Sequence, residues 1–330
     1  MKRIKYIVFL FPALLVRAQV LVPTAATAFE LQHNFNPEVI RSKNIRKITY
    51  EILDKKDFEV PVDKSLTEVY EFNADGLLSR YYYTTIVKTV QKEVMLRTKR
   101  NTWEKTLQSE YLYDTISTSY FYRQGNLVLK RYHDGARYYE SRYYNYDSAG
   151  HLTREKRYKE INNSPDPSVF ILGNQVLLSE DSFQYIKYPS GQLKCIFLNN
   201  EFRPYKECIT NYDSSGHPLD MDETYTAASW IRQQHWFIYR PDGKLQEARF
   251  KGNAHHDIVL RTVYEYDEYN ELYNEKKYRN EVLLREISYV RDRNNGLLNS
   301  FIIRDPSNQS LRIIKLRYDF GSLSRASNKG

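Results

Sequence analysis

Two cysteines, seven histidines and a recurrent aspartate are the residues whose types and spacing could do chemistry in this chain. Cys195 and Cys208 flank Leu198-Asn-Asn-Glu-Phe-Arg-Pro204, which reads as a hairpin loop. With Glu201-Phe202 at the turn centre the two thiols face each other across the strands, so a cross-strand disulfide is geometrically possible. The alternative is a pair of free thiols packed as small apolar groups. Neither has the helix or basic neighbour that activates a nucleophile. His255-His256-Asp257 is the one local cluster of metal-ligand types. Adjacent histidines on an extended chain point opposite ways, so it reads as a solvated loop. His151 and His217 both follow a turn glycine, but they lie about five strands apart, roughly 24 Å, and no single metal spans that. Asp147, Asp213 and Asp267 occupy one recurring turn position, which gives them a structural job rather than general-acid work. The chain holds no Gly-x-Ser-x-Gly, phosphate loop or His-Glu-x-x-His. A non-enzymatic protein with no catalytic residue, metal or cofactor is therefore expected.

These residues sit in a repeat. Tyr144-Asn-Tyr-Asp-Ser-Ala-Gly150-His-Leu152 is its fullest form, and Tyr70-Glu-Phe-Asn-Ala-Asp-Gly76-Leu-Leu78 its first. Thr210-Asn-Tyr-Asp-Ser-Ser-Gly216 and Tyr264-Glu-Tyr-Asp-Glu-Tyr-Asn270-Glu-Leu272 are further copies. The Gly position recurs at 125, 150, 191, 216, 243, 270 (Asn), 296 and 321, steps of 25 to 27 apart from one of 41. The interval from 76 to 125 reads as two units with one turn degraded near Lys99-Arg-Asn101. Each residue type has a reason. Gly or Asn supplies the positive φ of a tight turn, and Asp accepts from backbone N–H groups two residues on. Tyr at i and i+2 share a strand face, and Leu restarts the apolar face. A second, irregular set of turns lies midway, as at His133-Asp-Gly135 and Arg279-Asn280. One unit is thus a hairpin, repeated as a meander.

The aligned units place Tyr146, Tyr212, Tyr239 and Tyr266 in a ladder along one edge. Such rings could stack sugars or grip a peptide. Equally, they could hold a thin-cored sheet together across its strands.

The pattern resembles the RHS or YD-repeat family through Tyr146-Asp147, Gly150 and Leu152, Tyr212-Asp213 and Gly216, and Tyr266-Asp267 and Leu272. The resemblance covers roughly residues 66–323, with units a few residues longer than the family's. It implies the local hairpin fold and no activity. Some large members form a shell around a toxin, and nothing here matches their core-closing or toxin segments.

About ten units give an all-β fold: a long antiparallel meander of hairpin repeats forming one curled or coiled sheet, since flat sheets of that width are unusual. A β-propeller would impose a period near 50, about twice the unit seen, because it uses four strands per blade. An outer-membrane barrel requires one uncharged face per strand. Leu245-Gln-Glu-Ala-Arg-Phe-Lys251 by simple alternation puts Glu, Arg and Lys on the face of Leu245.

Residues 1–18 read as a signal peptide, with a basic start, an apolar run Ile7–Val16 and cleavage after Ala18; Ala26-Thr-Ala28 offers a second cut. Removing Lys2, Arg3, Lys5 and Arg17 takes the formal charge from +8 to +4, which calls for no nucleic-acid partner. The run is too short for a transmembrane anchor. Residues 19–65 form a leader with a short helix started by Asn36-Pro37 and a first strand; 66–323 are the array, with a loop insertion near 161–168; 324–330 are a flexible tail. The expected protein is an exported monomer of the periplasm, cell surface or medium. Its role is binding or scaffolding, with a glycan or envelope component as first partner. The alternatives are an interaction module presenting variable loops to a protein, and then an uncharacterised enzyme or outer-membrane barrel.

Overall fold

A computed structural model describes residues 19–321, apart from 30–33, 57, 98–100, 136–137, 167–168, 254–257 and 293. The signal segment and its cut after Ala18, the 324–330 tail, His255-His256-Asp257 and the end of the 161–168 insertion lie outside the described residues.

The described chain is all-β but for helix α1 (Pro37–Ser42). Asn36 caps that helix, its side chain accepting from the N–H groups of Glu38 and Val39, and Pro37 follows where no N–H is needed. The strands then run β1 (Ile45–Lys56), β2 (Val62–Phe72), β3 (Leu78–Arg97), β4 (Trp103–Arg123), β5 (Asn126–His133) and β6 (Tyr138–Tyr146). They continue through β7 (Leu152–Asn162), β8 (Leu172–Lys187), β9 (Leu193–Leu198), β10 (Pro204–Tyr212), β11 (Pro218–Tyr225) and β12 (Ala228–Tyr239). The last six are β13 (Leu245–Gly252), β14 (Ile258–Tyr266), β15 (Leu272–Arg279), β16 (Val282–Arg291), β17 (Leu298–Asp305) and β18 (Ser310–Phe320). Each strand pairs antiparallel with the next, and β1 pairs with both β2 and β18. Tyr50 stands opposite Glu68 on one side and Leu316 on the other.

The sheet is therefore a closed barrel of 18 strands, not an open coiled sheet of about ten units. The reason is the seam. At Gly321, the last recurrence of the Gly position, the N–H donates to the Asn44 carbonyl and the Asn44 amide donates back to Gly321 O, both at 2.8 Å. Lys99 and Arg100 of the turn expected near Lys99-Arg-Asn101 lie outside the described residues. β3 and β4 pair along 20- and 21-residue strands, about twice the usual length here, so the interval from 76 to 125 holds one long pair rather than two units.

The regular turns gather at one end of the barrel and the irregular ones at the other, because the meander reverses at every strand. Gly76, Gly150, Gly216, Gly243 and Gly296 all hold positive φ, as does Asn270 at 61°. At Gly76 a second constraint acts: a Cβ would collide with the Pro37 carbonyl, so the glycine lets α1 sit against the regular rim.

Residues 19–29 run into the lumen from that rim, and Asn34 and Phe35 lie back beside Val22 and Leu21. Leu21 bridges Phe35, Gln19 accepts from the Leu272 N–H at 3.0 Å, and the Ala28 carbonyl accepts from Thr262. Phe29 packs against His235 and Phe250. This stopper makes a core with β12 to β18, β1 and β2, built on Tyr50, Tyr70, Leu245, Leu272, Leu298 and Phe301. Phe35, Tyr70, Tyr50 and Phe301 form a chain of ring contacts at 4.8 to 5.3 Å.

Phe301 is fully buried, so Phe301→Ala should cost about 3–5 kcal/mol in urea unfolding. Deleting residues 19–35 should destabilise the barrel more than that. Cleavage after Ala28 would strip Val20, Leu21 and Ala28 from the core, so mass spectrometry of the exported chain should find Gln19 retained.

Candidate functional site

The regular turn is a self-contained device. The Asp147 carboxylate accepts from the N–H groups of Ala149 and His151, both at 2.9 Å, and its second oxygen meets His151 Nδ1 at 3.1 Å. Asp213 does the same with Ser215 and His217, and Asp267 with Tyr269 and Glu271. These N–H donors hold the Asp147 and Asp213 carboxyls below their ordinary range. The residue after Gly then covers the ring of the following unit: His151 stacks on Tyr185, His217 on Tyr239, and Lys244 lies over Tyr266. His151 and His217 thus serve separate turns and share no site.

The motif tyrosine closes the device. Tyr146 donates to Leu127 O at 2.9 Å, and Tyr266 to Leu245 O at 2.7 Å. Tyr122, Tyr185 and Tyr318 donate likewise to Leu78, Leu152 and Leu298, and Arg291 reaches Leu272 O. Every acceptor is the leucine just after the preceding regular turn, so these six units are clipped to their predecessors. Of the four ladder residues, Tyr146 and Tyr266 are clips, Tyr239 carries the His217 stack and Tyr212 is 41% exposed. They lie on β6, β10, β12 and β14, never on adjacent strands, so the rings form no continuous stack.

Cys195 and Cys208 stand directly opposite in register on β9 and β10, both as thiols. Burial pushes the Cys208 thiol up to about 11, which keeps it protonated and unreactive at neutral pH. Among the described residues no cluster of three metal-ligand side chains occurs.

The cross-strand pairs sort the wall into two faces. Tyr264, Glu275, Ile287, Tyr289 and Phe301 face the lumen with the stopper. The outer rows are charged. Glu247, Arg249 and Lys251 pair with Val263, Arg261 and Val259, while Glu51 and Thr49 pair with Lys315 and Arg317. Leu245 is not on the face of Glu247, because a bulge at Ile238/Tyr239 shifts the register and turns it inward. Ion pairs run along this exterior: Lys276–Glu265 at 2.7 Å, Lys194–Glu207 at 2.7 Å, Arg154–Glu180 at 3.1 Å and Arg317–Glu51 at 3.2 Å. One outer carboxylate is fully buried. Glu160 accepts from Ser141 at 2.5 Å, Tyr143 at 2.6 Å and Arg131 at 3.0 Å, beneath Phe170 stacked on Arg131. Nothing in the repeat pattern marked it.

The described stopper residues pack against the wall from the regular rim to Phe29. Towards the irregular rim two cavities of about 450 and 360 Å³ open, and Arg285 and Asp305 line both. Asp54, Lys64 and Arg312 wall the larger; Ala28, Phe29 and Lys277 line the smaller. This half-open lumen is the candidate site. Motif reasoning missed it because it exists only once β1 meets β18.

No family model and no curated protein matches the chain. Among solved structures it is similar to a porin-like protein from Bacteroides uniformis, at 11% identity over 83% of this chain and 98% of that one, with a TM-score of 0.32. A porin-like protein from Bacteroides vulgatus gives 8% identity over the same shares, with a TM-score of 0.29. A TcdB2–TccC3 structure gives 9% identity over 77% of this chain and 21% of that one, with a TM-score of 0.19. Likeness at that level carries no argument about this chain.

Two measurements test the site's frame. Tyr266→Phe should cost about 0.5–1.5 kcal/mol in chemical unfolding, one clip's hydroxyl. Burial against Phe29 and Phe250 pushes the His235 imidazole below its ordinary 6.5. The unfolded chain then binds a proton that the native state resists, so stability should fall as pH drops below 6.5. His235→Phe should flatten the Tm-against-pH curve between about pH 5 and 7.

Proposed function

We propose that the chain is a non-enzymatic, exported β-barrel that works in water, in the bacterial envelope or outside the cell, and takes up a solute in the open half of its lumen. The observation that carries this reading is the charged exterior of a closed wall. Arg249, Arg261, Lys276, Lys315 and Glu51 all lie on outward rows of strand interiors. In hydrocarbon each such Arg or Lys would cost about 2–4 kcal/mol at mid-depth. Closure further leaves an interior, which the stopper packs on the side from β12 to β2. A basic start and apolar run at residues 2–16 support export, and the Tyr-Asp turns support a YD-repeat-like origin.

A second reading is an outer-membrane barrel. Its support is the even-numbered antiparallel meander closed on itself, the form that spans bilayers without an open edge. No described helix is long and apolar enough to cross a membrane, which leaves strands as the means.

Fractionating cells that express the full chain separates the two. The water-borne barrel should be released with the periplasm or medium and stay monodisperse without detergent. Recovery in an alkali-resistant membrane fraction, soluble only in detergent, would favour the membrane-spanning form.

A further inference from the structure

Lys277 and Arg285 stand directly opposite each other on β15 and β16, both facing the lumen, and both line the cavity against Phe29. Like charges paired across strands are destabilising by themselves, so the carboxylates around them matter. Glu275 pairs with Lys277 at 3.1 Å and already accepts from Tyr289 at 2.9 Å. Asp305 is turned into its own loop, accepting from the Ser307 N–H and hydroxyl and from Asn308. Asp54 is taken by Lys64 at 3.2 Å and Arg312 at 2.9 Å. Among the described residues, no carboxylate pairs with Arg285, and it lines every cavity described above as well as a smaller one of about 80 Å³ beneath the stopper. Lys55 and Lys56 add positive charge to the larger cavity's wall and Glu59 one carboxylate, leaving cations in excess there.

We propose that the open lumen binds an oxyanion-bearing solute, with Arg285 as its anchor. The inference rests on the lumen-binding reading and names the ligand class. A guanidinium presents a planar fork of N–H donors that fits carboxylate, sulfate or phosphate with two parallel hydrogen bonds. Bound there, the anion supplies the countercharge that Arg285 lacks among the described residues. Ile303 and Leu284 line the same space and would contact the apolar body of an organic acid or acidic sugar.

Calorimetric titration of the full mature chain at constant ionic strength, with inorganic phosphate, sulfate and a galacturonic-acid trimer as probes, tests it. Binding of at least one probe should weaken tenfold or more in Arg285→Ala and far less in Arg285→Lys. Arg304→Ala, which removes an exposed outward cation on β17, should leave it unchanged. Preference for the trimer over both inorganic ions would identify a carboxylated sugar, and equal binding a small free anion; either supports the anchor. Ile303→Trp fills the cavity without changing charge. Binding lost in Ile303→Trp but kept in Arg285→Ala would overturn the oxyanion contact while leaving the lumen reading intact. Binding kept in both would overturn the lumen reading too. Failure of every probe to bind the unaltered chain would overturn the proposal. Arg285→Ala should melt no lower than the unaltered chain in probe-free buffer, since it relieves a like-charge pair.

Discussion

One strand decides the architecture. β1 lies between β2 and β18, so the chain's first long strand and its last share a ladder from Lys47 opposite Asp319 to Lys56 opposite Ser310. Without that ladder the sheet would carry two open rows of N–H and C=O groups, and in water such rows recruit other chains. With it, edges vanish, an inside is defined and every alternating side chain becomes either lumen or exterior. The stopper depends on the same strand. Residues 19–42 immediately precede β1, so the segment that fills the lumen is tethered beside the seam that encloses it.

The wall is held by different means around its circumference. From β12 through β18 to β2 it leans on the stopper, where Tyr50, Tyr70 and Phe301 exclude water. From β3 to β11 there is little apolar backing, and polar contacts take over. Arg142 bridges Glu140 and Glu155, Lys206 meets Glu223 at 3.1 Å, and the Tyr122, Tyr146 and Tyr185 hydroxyls tie unit to unit. Exposed ion pairs contribute little one at a time, so the hydrogen-bonded ladder and the clips carry more of this half. The thin-core sheet foreseen from the tyrosine content describes this side well and the stoppered side poorly.

Local features were legible in the sequence because local forces make them. The turn period, the positive-φ Gly or Asn, the Asp that receives N–H groups and the Asn36 cap each involve residues within a few positions of one another. What escaped was long-range. Closure pairs Ile45 with Phe320, and β1 is not a copy of the repeat, so no periodicity announces their meeting. The bulge that turns Leu245 inward defeats simple alternation, which had placed it with Glu247. Arg285 shares a strand face with the apolar Ile287 and Tyr289, and only the closed lumen gives that face a cavity. Cys195 and Cys208 were legible as partners in register, since one hairpin fixes both.

The clip between units has a consequence for how such a chain can change over generations. Because the hairpins from β3 to β11 pair with their neighbours and bring their own turns and strands, a unit duplicated or deleted there would leave the stoppered junctions intact. The ring would widen or narrow by two strands at a time, and the seam would stay antiparallel at every size. Girth is then a countable trait, set by the number of units between the stopper and the last strand, and the volume of the lumen follows from it.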